Sequence, residues 1–139
     1  MTTKRQLNLV WNEKVLGKDE KCATELVEQI LFATWLDKMG LKYYAVPNGG
    51  WRTMSEGLKF KRSGVKSGVP DVCIPLPVEP YHGLYIELKR VKGGVVSETQ
   101  KEWIEYLNSV GYRAVVCKGF AAARLEVEYY LDLMPKKLA

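Results

Sequence analysis

Residues 68–100 of the 139-residue chain read GVPDVCIPLPVEPYHGLYIELKRVKGGVVSETQ. From position 84 to position 89 apolar and polar residues alternate, which predicts a strand whose successive side chains point to opposite faces. The apolar face of this strand comprises Leu84, Ile86 and Leu88. The opposite face carries Glu87 and Lys89 side by side, and Asp71 opens the preceding apolar run. Paired as a hairpin, the two runs bring Asp71 and Glu87 together at one end of a sheet.

These polar side chains have a chemical and a structural interpretation. Two carboxylates and a lysine are suited to hold a hard divalent cation beside the water that it activates. The structural alternative is an exposed ion pair between Glu87 and Lys89, which would contribute only about 0–1 kcal/mol. The pair alone favours that alternative. Asp71, the glycine and proline before it, and the basic residues on either side favour a catalytic site.

The composition is that of an ordinary globular protein able to bind a polyanion. Lys and Arg number 21 against 16 Asp and Glu, which gives a net charge of +5. The length predicts one domain, residues 1–139, with an extended N-terminal arm at 1–18 and a core at 20–134. Apolar runs are shorter than the roughly 20 residues that span a bilayer, and the first residues lack a signal-peptide pattern. We therefore expect no membrane partner and a cytoplasmic location.

The soft metal ligands of the chain are few. There are three widely spaced cysteines and a single histidine, His82, and no CxxC pair. This pattern argues against a zinc site of the Cys/His type. We expect buried, reduced thiols and a solvent-facing histidine in a loop.

Periodicity and turn residues predict the order helix, strand, helix, two strands, helix, strand, helix. The predicted bounds are 20–38, 43–46, 53–62, 71–74, 83–90, a helix from a Ser97 cap to Gly111, 113–117, and a helix from 119 to about 134. The inward stripe predicted for the first helix is Ala23, Leu26, Val27, Ile30 and Leu31. Ser97 and Gln100 form a capping box. The two consecutive strands should be antiparallel and the last crossover right-handed and parallel. This predicts an α/β fold with a mixed four-stranded sheet flanked by helices.

Several segments together resemble a known family. Gly68-Val69-Pro70-Asp71 followed by Tyr85-Ile86-Glu87-Leu88-Lys89 resembles the PD-(D/E)XK nuclease motif. The segments that resemble the VRR-NUC (virus-type replication-repair nuclease) family are Pro47-Asn48-Gly49-Gly50, Gly64-Val65, Tyr81-His82-Gly83-Leu84, Ser97-x-x-Gln100-x-x-Trp103 and Gly111-Tyr112. The first motif alone is short and recurs by chance, whereas the ordered set is far more specific. It extends over nearly the whole chain.

The resemblance implies a restriction-endonuclease-like core and a metal-dependent phosphodiesterase. Asp71 and Glu87 would bind Mg²⁺ or Mn²⁺, with help from the carbonyl of Leu88. Lys89 would orient or deprotonate the attacking water and stabilise the negative charge that grows on the phosphate. Gln100 matches a glutamine that supports the site in this family, although the capping box explains Gln100 without catalysis.

The resemblance also places an acid of the first helix among the metal ligands. In the family this glutamate usually precedes a glutamine by four positions. That spacing selects Glu25, which is followed by Gln29, over Glu28. Without the resemblance, two glutamates on an amphipathic helix would indicate only a solvated face.

Polar, basic and aromatic residues near the motifs are expected to contact DNA. The predicted contacts are Asn48, Arg52, Lys59, Lys61, Arg62, Lys66 and Arg90. The basic residues would position the phosphates without reading sequence, and Asn48 is equally explained as a turn residue. The aromatic residues that could stack on splayed bases are Tyr43, Tyr44, Trp51 and Tyr85. Cover of the core or of a sheet edge is the favoured interpretation of these aromatic residues.

We therefore expect a metal-dependent DNA endonuclease that resembles Holliday junction resolvases. Such an enzyme cuts two strands of branched DNA, so symmetry predicts a homodimer. The family resemblance suggests a bacterial or phage-infected cell as its setting. A flap, single-strand or nicking nuclease would share the site, and a non-catalytic DNA-binding module would share the fold. The presence of Asp71, Glu87 and Lys89 argues against a decayed nuclease.

Overall fold

The computed structural model describes residues 22–47 and 54–136. Its elements follow the predicted order and are α1 (Glu25–Met39), β1 (Tyr44–Ala45), α2 (Met54–Arg62), β2 (Val72–Ile74), β3 (Leu84–Lys89), α3 (Glu98–Ser109), β4 (Arg113–Lys118) and α4 (Gly119–Asp132). The predicted arm at 1–18 lies outside the described residues. Among the helices of the described ranges, none has the length and apolar character needed to cross a membrane.

The four strands form one mixed sheet in the spatial order β1-β2-β3-β4. β1 pairs with β2 and β2 with β3 in antiparallel fashion, whereas β3 and β4 are parallel and joined through α3. The predicted α/β fold, a mixed four-stranded sheet flanked by helices, is confirmed. In the hairpin Val72 pairs with Ile86, so Asp71 lies one position further, opposite Glu87.

One face of the sheet packs on α1 and α4 and forms the core. The buried apolar cluster joins side chains of β2, β3 and β4 to those of the two helices; among its members are Phe32, Leu36, Ile74, Leu84, Ile86, Leu88, Val127 and Tyr130. Burying such side chains stabilises the fold by roughly 25 cal/mol per Å² of apolar surface. The hydroxyl of Tyr130 donates to the carbonyl of Leu76 at 2.6 Å, which connects α4 to the loop between β2 and β3. The opposite face of the sheet carries Glu87, which Gln100 of α3 contacts.

The first helix differs from its prediction in two respects. It begins at Glu25 rather than at residue 20, because the Thr24 side chain accepts the N–H of Val27 at 3.3 Å and caps the helix there. Its fully buried residues are Val27, Phe32 and Leu36, whereas Leu26, predicted to face inward, is 60% exposed. Apolar residues occupy most positions of this helix, so spacing alone did not identify the buried stripe.

Candidate active site

The acid before β2 is fixed to the neighbouring strand. Asp71 Oδ2 accepts the backbone N–H of Leu88 at 2.8 Å, one residue beyond Glu87. The hairpin register places Asp71 opposite Glu87, and the negative charge of Asp71 contributes to the raised pKa of Glu87. The structure therefore brings together the two acids that the alternating pattern predicted to meet.

Glu87 is an acid in a buried position. The residue is 1% exposed, and its Oε2 atom is buried without a hydrogen-bond partner among the described residues. Burial first, and the charge of Asp71 second, raise the pKa of Glu87 to about 8, although the ammonium of Lys89 lowers it. A buried carboxylate oxygen without a partner is costly, so this site favours a proton or a cation at Glu87.

Lys89 is held between two acids. Its Nζ lies 3.5 Å from Glu87 Oε1 and 3.8 Å from Glu25 Oε1. The exposed-pair interpretation of Glu87 and Lys89 is wrong, because both residues are buried. A buried pair must offset a large desolvation penalty, which makes its surroundings decisive.

The loop after β3 contacts the stem of Lys89 directly. A Cβ added at Gly94 would lie 2.9 Å from Lys89 Cβ, closer than real Cβ contacts allow. The sequence indicates only a turn at Gly93-Gly94 and does not predict this packing role. The signal in the sequence was the second glycine. Gly93 has a positive φ of 76°, as a turn requires, whereas Gly94 has no positive φ, so the turn does not explain a glycine at position 94.

Gln100 uses both ends of its side-chain amide. Its Oε1 accepts the backbone N–H of Ser97 at 2.9 Å, and its Nε2 donates to Glu87 Oε1 at 2.9 Å. The Ser97 hydroxyl accepts the N–H of Gln100 at 3.2 Å, which completes the capping box. The two interpretations of Gln100 therefore hold together, since the cap orients the amide that contacts Glu87.

The glycine of the GVPD segment lets this segment touch α3. Gly68 has a φ of 86°, and a Cβ there would lie 2.7 Å from the carbonyl carbon and oxygen of Thr99. Any side chain would push the segment away from the first turn of α3. This contact joins Gly68 to Thr99. It therefore keeps Asp71, which follows Gly68 in the chain, and Gln100, which follows Thr99, close to the same end of β3.

The two acids of α1 point to different parts of the molecule. Glu25 faces Lys89, whereas Glu28 Oε2 accepts the backbone N–H of Phe120 at 2.5 Å. Lys118, at the N-cap of α4, makes no side-chain capping bond. Glu28 therefore supplies both the hydrogen bond and the negative charge that a helix N-terminus favours. This geometry supports the choice of Glu25 for the site.

The acids present fit a hard divalent cation that keeps part of its water shell. Within residues 22–47 and 54–136, no three histidine, cysteine or acidic side chains are gathered closely enough to hold an ion on their own. Mg²⁺ is usually held by one or two carboxylates together with water and substrate phosphate. Asp71 and Glu87, with its unpartnered Oε2, meet that need.

Comparison with known proteins agrees with this geometry. The model of the VRR-NUC domain family matches residues 43–121, more than half of the chain. The chain belongs to the VRR-NUC family. A solved structure described as "VRR_NUC domain protein" is 33% identical, with 81% of this chain and 92% of that chain covered at a TM-score of 0.71. No protein with a curated description matches the chain.

Membership of the VRR-NUC family confirms the resemblance drawn from the motifs. A VRR-NUC domain implies a nuclease of the PD-(D/E)XK type, and therefore DNA as substrate. Nucleases of this type generally use divalent metals, in agreement with the acids at Asp71 and Glu87. The matched segment includes both of these acids, Lys89 and Gln100, whereas Glu25 precedes it.

The basic residues predicted to contact DNA take no part in the ion pairs that the structure describes at the site. Those on α2 and in the loop after it are all exposed and comprise Lys59, Lys61, Arg62 and Lys66. None of these four forms an ion pair with a described residue. Arg90 follows β3 and is partly buried, and its Nε has no hydrogen-bond partner in the described part of the chain. Asn48 and Arg52 lie outside the described residues, so the DNA contacts remain predictions.

The aromatic residues divide between the two faces of the sheet. The Tyr43 hydroxyl donates to Asp37 Oδ1 at 2.7 Å and lies 3.1 Å from the carbonyl of Ala33, so it belongs with α1. Tyr44 and Tyr85 lie on the opposite face, which also carries Glu87. Trp51 lies outside the described residues. Tyr43 therefore packs against the core, in agreement with the favoured interpretation for this residue.

Proposed function

We propose that this VRR-NUC protein is a divalent-metal-dependent DNA endonuclease that hydrolyses phosphodiester bonds. The observation that carries the proposal is the buried Glu87, whose Oε2 has no partner in the described residues, beside Asp71 and Lys89. A merely structural carboxylate would be expected to satisfy both of its oxygens. Here one oxygen is left available for a ligand.

Each side chain of the site has a distinct task in this proposal. Asp71 and Glu87 would hold Mg²⁺ or Mn²⁺, with the Leu88 carbonyl and Glu25 as further ligands. When bound, the ion would supply the positive charge that activates a water and relieves charge on the phosphate. Lys89, as an ammonium, orients the attacking water and stabilises the negative charge on the phosphate oxygens.

The remaining contacts position these groups. The N–H of Leu88 fixes Asp71 Oδ2, and the Gln100 amide occupies Glu87 Oε1. The ligand oxygen of Glu87 is therefore Oε2, because Oε1 already accepts from Gln100 and faces Lys89. Gln100 is a positioning residue in this scheme.

For the substrate we propose branched DNA, with four-way junctions favoured. Symmetric cuts in two strands need two sites, which a homodimer provides. Phosphates would be held by the exposed basic residues of α2 and by the other predicted contacts, Asn48, Arg52, Lys66 and Arg90. We further propose that residues 1–139 form one domain, with an arm at 1–18 and a core at 20–134, acting in the cytoplasm of a bacterial or phage-infected cell.

The decisive experiment is cleavage of labelled four-way junction, flap, single-stranded and duplex DNA. Each substrate is incubated with Mg²⁺, Mn²⁺ or EDTA, using the wild-type protein and Lys89→Ala. The matched control is Lys101→Ala, which removes an exposed lysine that pairs with Glu98 on α3. We expect paired symmetric cuts in the junction that disappear with EDTA and with Lys89→Ala, and persist with Lys101→Ala.

The other outcomes are equally informative. Preferential cutting of flaps or single strands would retain the nuclease and reject junction resolution. Cleavage that persists in EDTA would reject the metal-dependent mechanism. Tight junction binding without cleavage of any substrate would favour a non-catalytic module.

A further inference from the structure

A row of aromatic rings crosses the sheet beside the acids. Tyr44 on β1 pairs in register with Cys73 on β2, and Cys73 pairs with Tyr85 on β3. The Tyr85 ring meets that of Tyr112 at 5.4 Å and 78°, and the Tyr112 ring meets that of His82 at 5.6 Å and 72°. We call Tyr44, Tyr85, Tyr112 and His82 the aromatic row.

The aromatic row lies on the functional face of the sheet. Side chains alternate along a strand, so Tyr85 shares its face with Glu87 two positions later. The intervening Ile86 belongs to the core on the opposite face. At about 3.3 Å per residue, Tyr85 lies roughly 7 Å along the strand from Glu87. The aromatic row therefore passes beside the proposed cleavage site.

The rings of the aromatic row are exposed to an extent that packing in the core does not explain. Tyr44 is 51% exposed and His82 is exposed, while Tyr85 and Tyr112 are partly exposed. Edge-to-face contacts such as that of Tyr85 with Tyr112 use the edge of one ring and one face of the other. Tyr44 and His82 are the most exposed rings of the row and are therefore the rings open to a further aromatic group.

We propose that the aromatic row binds unpaired bases of the DNA strand that is cut. This inference rests on the proposed nuclease function and names the kind of substrate that the site selects. Neighbouring strands are about 4.8 Å apart, so the row extends roughly 14 Å from β1 to β4. In one class of RNA-binding domain, aromatic side chains on a four-stranded sheet stack two or three bases.

This binding mode selects for strand opening and not for sequence. Every base offers a π-face, so stacking on tyrosine tolerates all four bases. In an uninterrupted duplex those faces are already covered by neighbouring base pairs. The row therefore favours DNA with unpaired nucleotides next to the scissile phosphate, such as flaps, forks and junctions with an opened centre.

The test measures binding without cleavage, in EDTA. The probes are a labelled oligothymidine of about 12 nucleotides and a duplex of the same length. Tyr44→Ala should weaken single-strand binding by about 5- to 100-fold and leave duplex binding unchanged, because one stacked base is lost. Tyr44→Phe keeps the ring and should stay within about twofold of wild type.

Two further variants complete the design. Tyr129→Ala removes a tyrosine of the same 51% exposure from α4 and should bind both probes as the wild type does. His82→Ala tests the other end of the row in an exposed loop and should also weaken only single-strand binding. A 2-aminopurine in the single strand should be quenched on binding by wild type and Tyr44→Phe, and less by Tyr44→Ala.

The inference is overturned if both Tyr44→Ala and His82→Ala bind the single strand as tightly as Tyr129→Ala. Equal weakening of single-strand and duplex binding would also overturn it. A separate result would reject the nuclease proposal. In that case the wild type cuts no DNA with any metal, whether or not the aromatic row binds single strands. Selective loss of single-strand binding in a protein that cuts nothing would keep the row and reject the nuclease.

Discussion

The side-chain amide of Gln100 donates a hydrogen bond of 2.9 Å to Glu87 Oε1. The same amide accepts the N–H of Ser97 and so caps the helix on which it lies. One glutamine therefore links the start of α3 to the buried acid of β3. The link can be separated into its two halves by mutation, because each half uses a different end of the amide.

Gln100→Glu should impair the site and keep the helix cap. A glutamate at this position still accepts the N–H of Ser97, as capping boxes commonly do. It offers no donor to Glu87 and adds a negative charge beside it. We expect cleavage to fall by at least tenfold, and the Mg²⁺ dependence of the rate to change.

Ser97→Ala should produce the opposite pattern. The loss of an N-cap side chain typically costs about 1 kcal/mol of stability, while the Gln100 donor to Glu87 remains. Thermal denaturation and cleavage rates of both variants provide the comparison. Equal loss of activity in the two variants would mean that Gln100 acts only through the helix.

The stability of the metal-free protein should fall as pH rises. Glu87 has a pKa of about 8 in the folded protein against an ordinary value of 4.5. Between these values the folded state retains a proton that the unfolded state has released, so stability decreases with rising pH. The slope is at most about 1.4 kcal/mol per pH unit for one proton.

Chemical denaturation in EDTA from about pH 4.5 to pH 8.5 measures this effect. Glu87→Gln cannot titrate, so the difference between wild type and this variant isolates the contribution of Glu87. The wild type should lose stability relative to the variant as pH rises. Parallel curves would show that the pKa of Glu87 is not raised. The same variant should also lose cleavage while retaining DNA binding.

Removal of each α1 acid should have a separate consequence. Glu28→Ala takes away the partner of the Phe120 N–H and should lower the free energy of unfolding by about 1–2 kcal/mol. Glu25→Ala should leave stability nearly unchanged, since its side chain is 48% exposed, and should weaken Mg²⁺ binding. Denaturation curves and Mg²⁺ titrations of both variants decide the assignment. Weaker Mg²⁺ binding in Glu28→Ala alone would reverse the roles of the two acids.

Loss of two basic residues of α2 should reduce the salt dependence of DNA binding. Each phosphate contact contributes about 0.9 to the slope of log affinity against log salt for duplex DNA. Lys59→Ala combined with Arg62→Ala should therefore lower the slope by about 1.8. Lys38→Ala with Lys42→Ala removes the same charge from another exposed region and is the control. An unchanged slope in the α2 variant would place the DNA elsewhere.

Local patterns predicted much of this molecule because the decisive contacts are local or follow from strand alternation. The alternation sets Glu87 and Lys89 on one face, and antiparallel pairing of the two strands brings Asp71 opposite Glu87. The capping box that marks the start of α3 places Gln100 at the third helical position. Both signals extend over only a few residues and depend on backbone geometry alone.

Local sequence patterns did not predict the contacts between elements that are distant from one another in the chain. Leu26 is exposed and Phe32 is buried because the sheet meets α1 on a face that a mostly apolar helix does not reveal. The approach of Gly94 to Lys89 depends on how a loop folds back on its strand. The proposed DNA contacts come from exposed residues of separate elements, and no local pattern determines how these residues are placed relative to one another.

The bond between Glu28 and Phe120 joins residues 92 positions apart in the chain. Synthesis proceeds from the amino terminus, so α1 is complete long before its partner on α4 exists. Until Phe120 has left the ribosome, this bond cannot hold α1 in place. The helix that carries Glu25 therefore gains its contacts with α4 only after the chain has been made as far as Phe120.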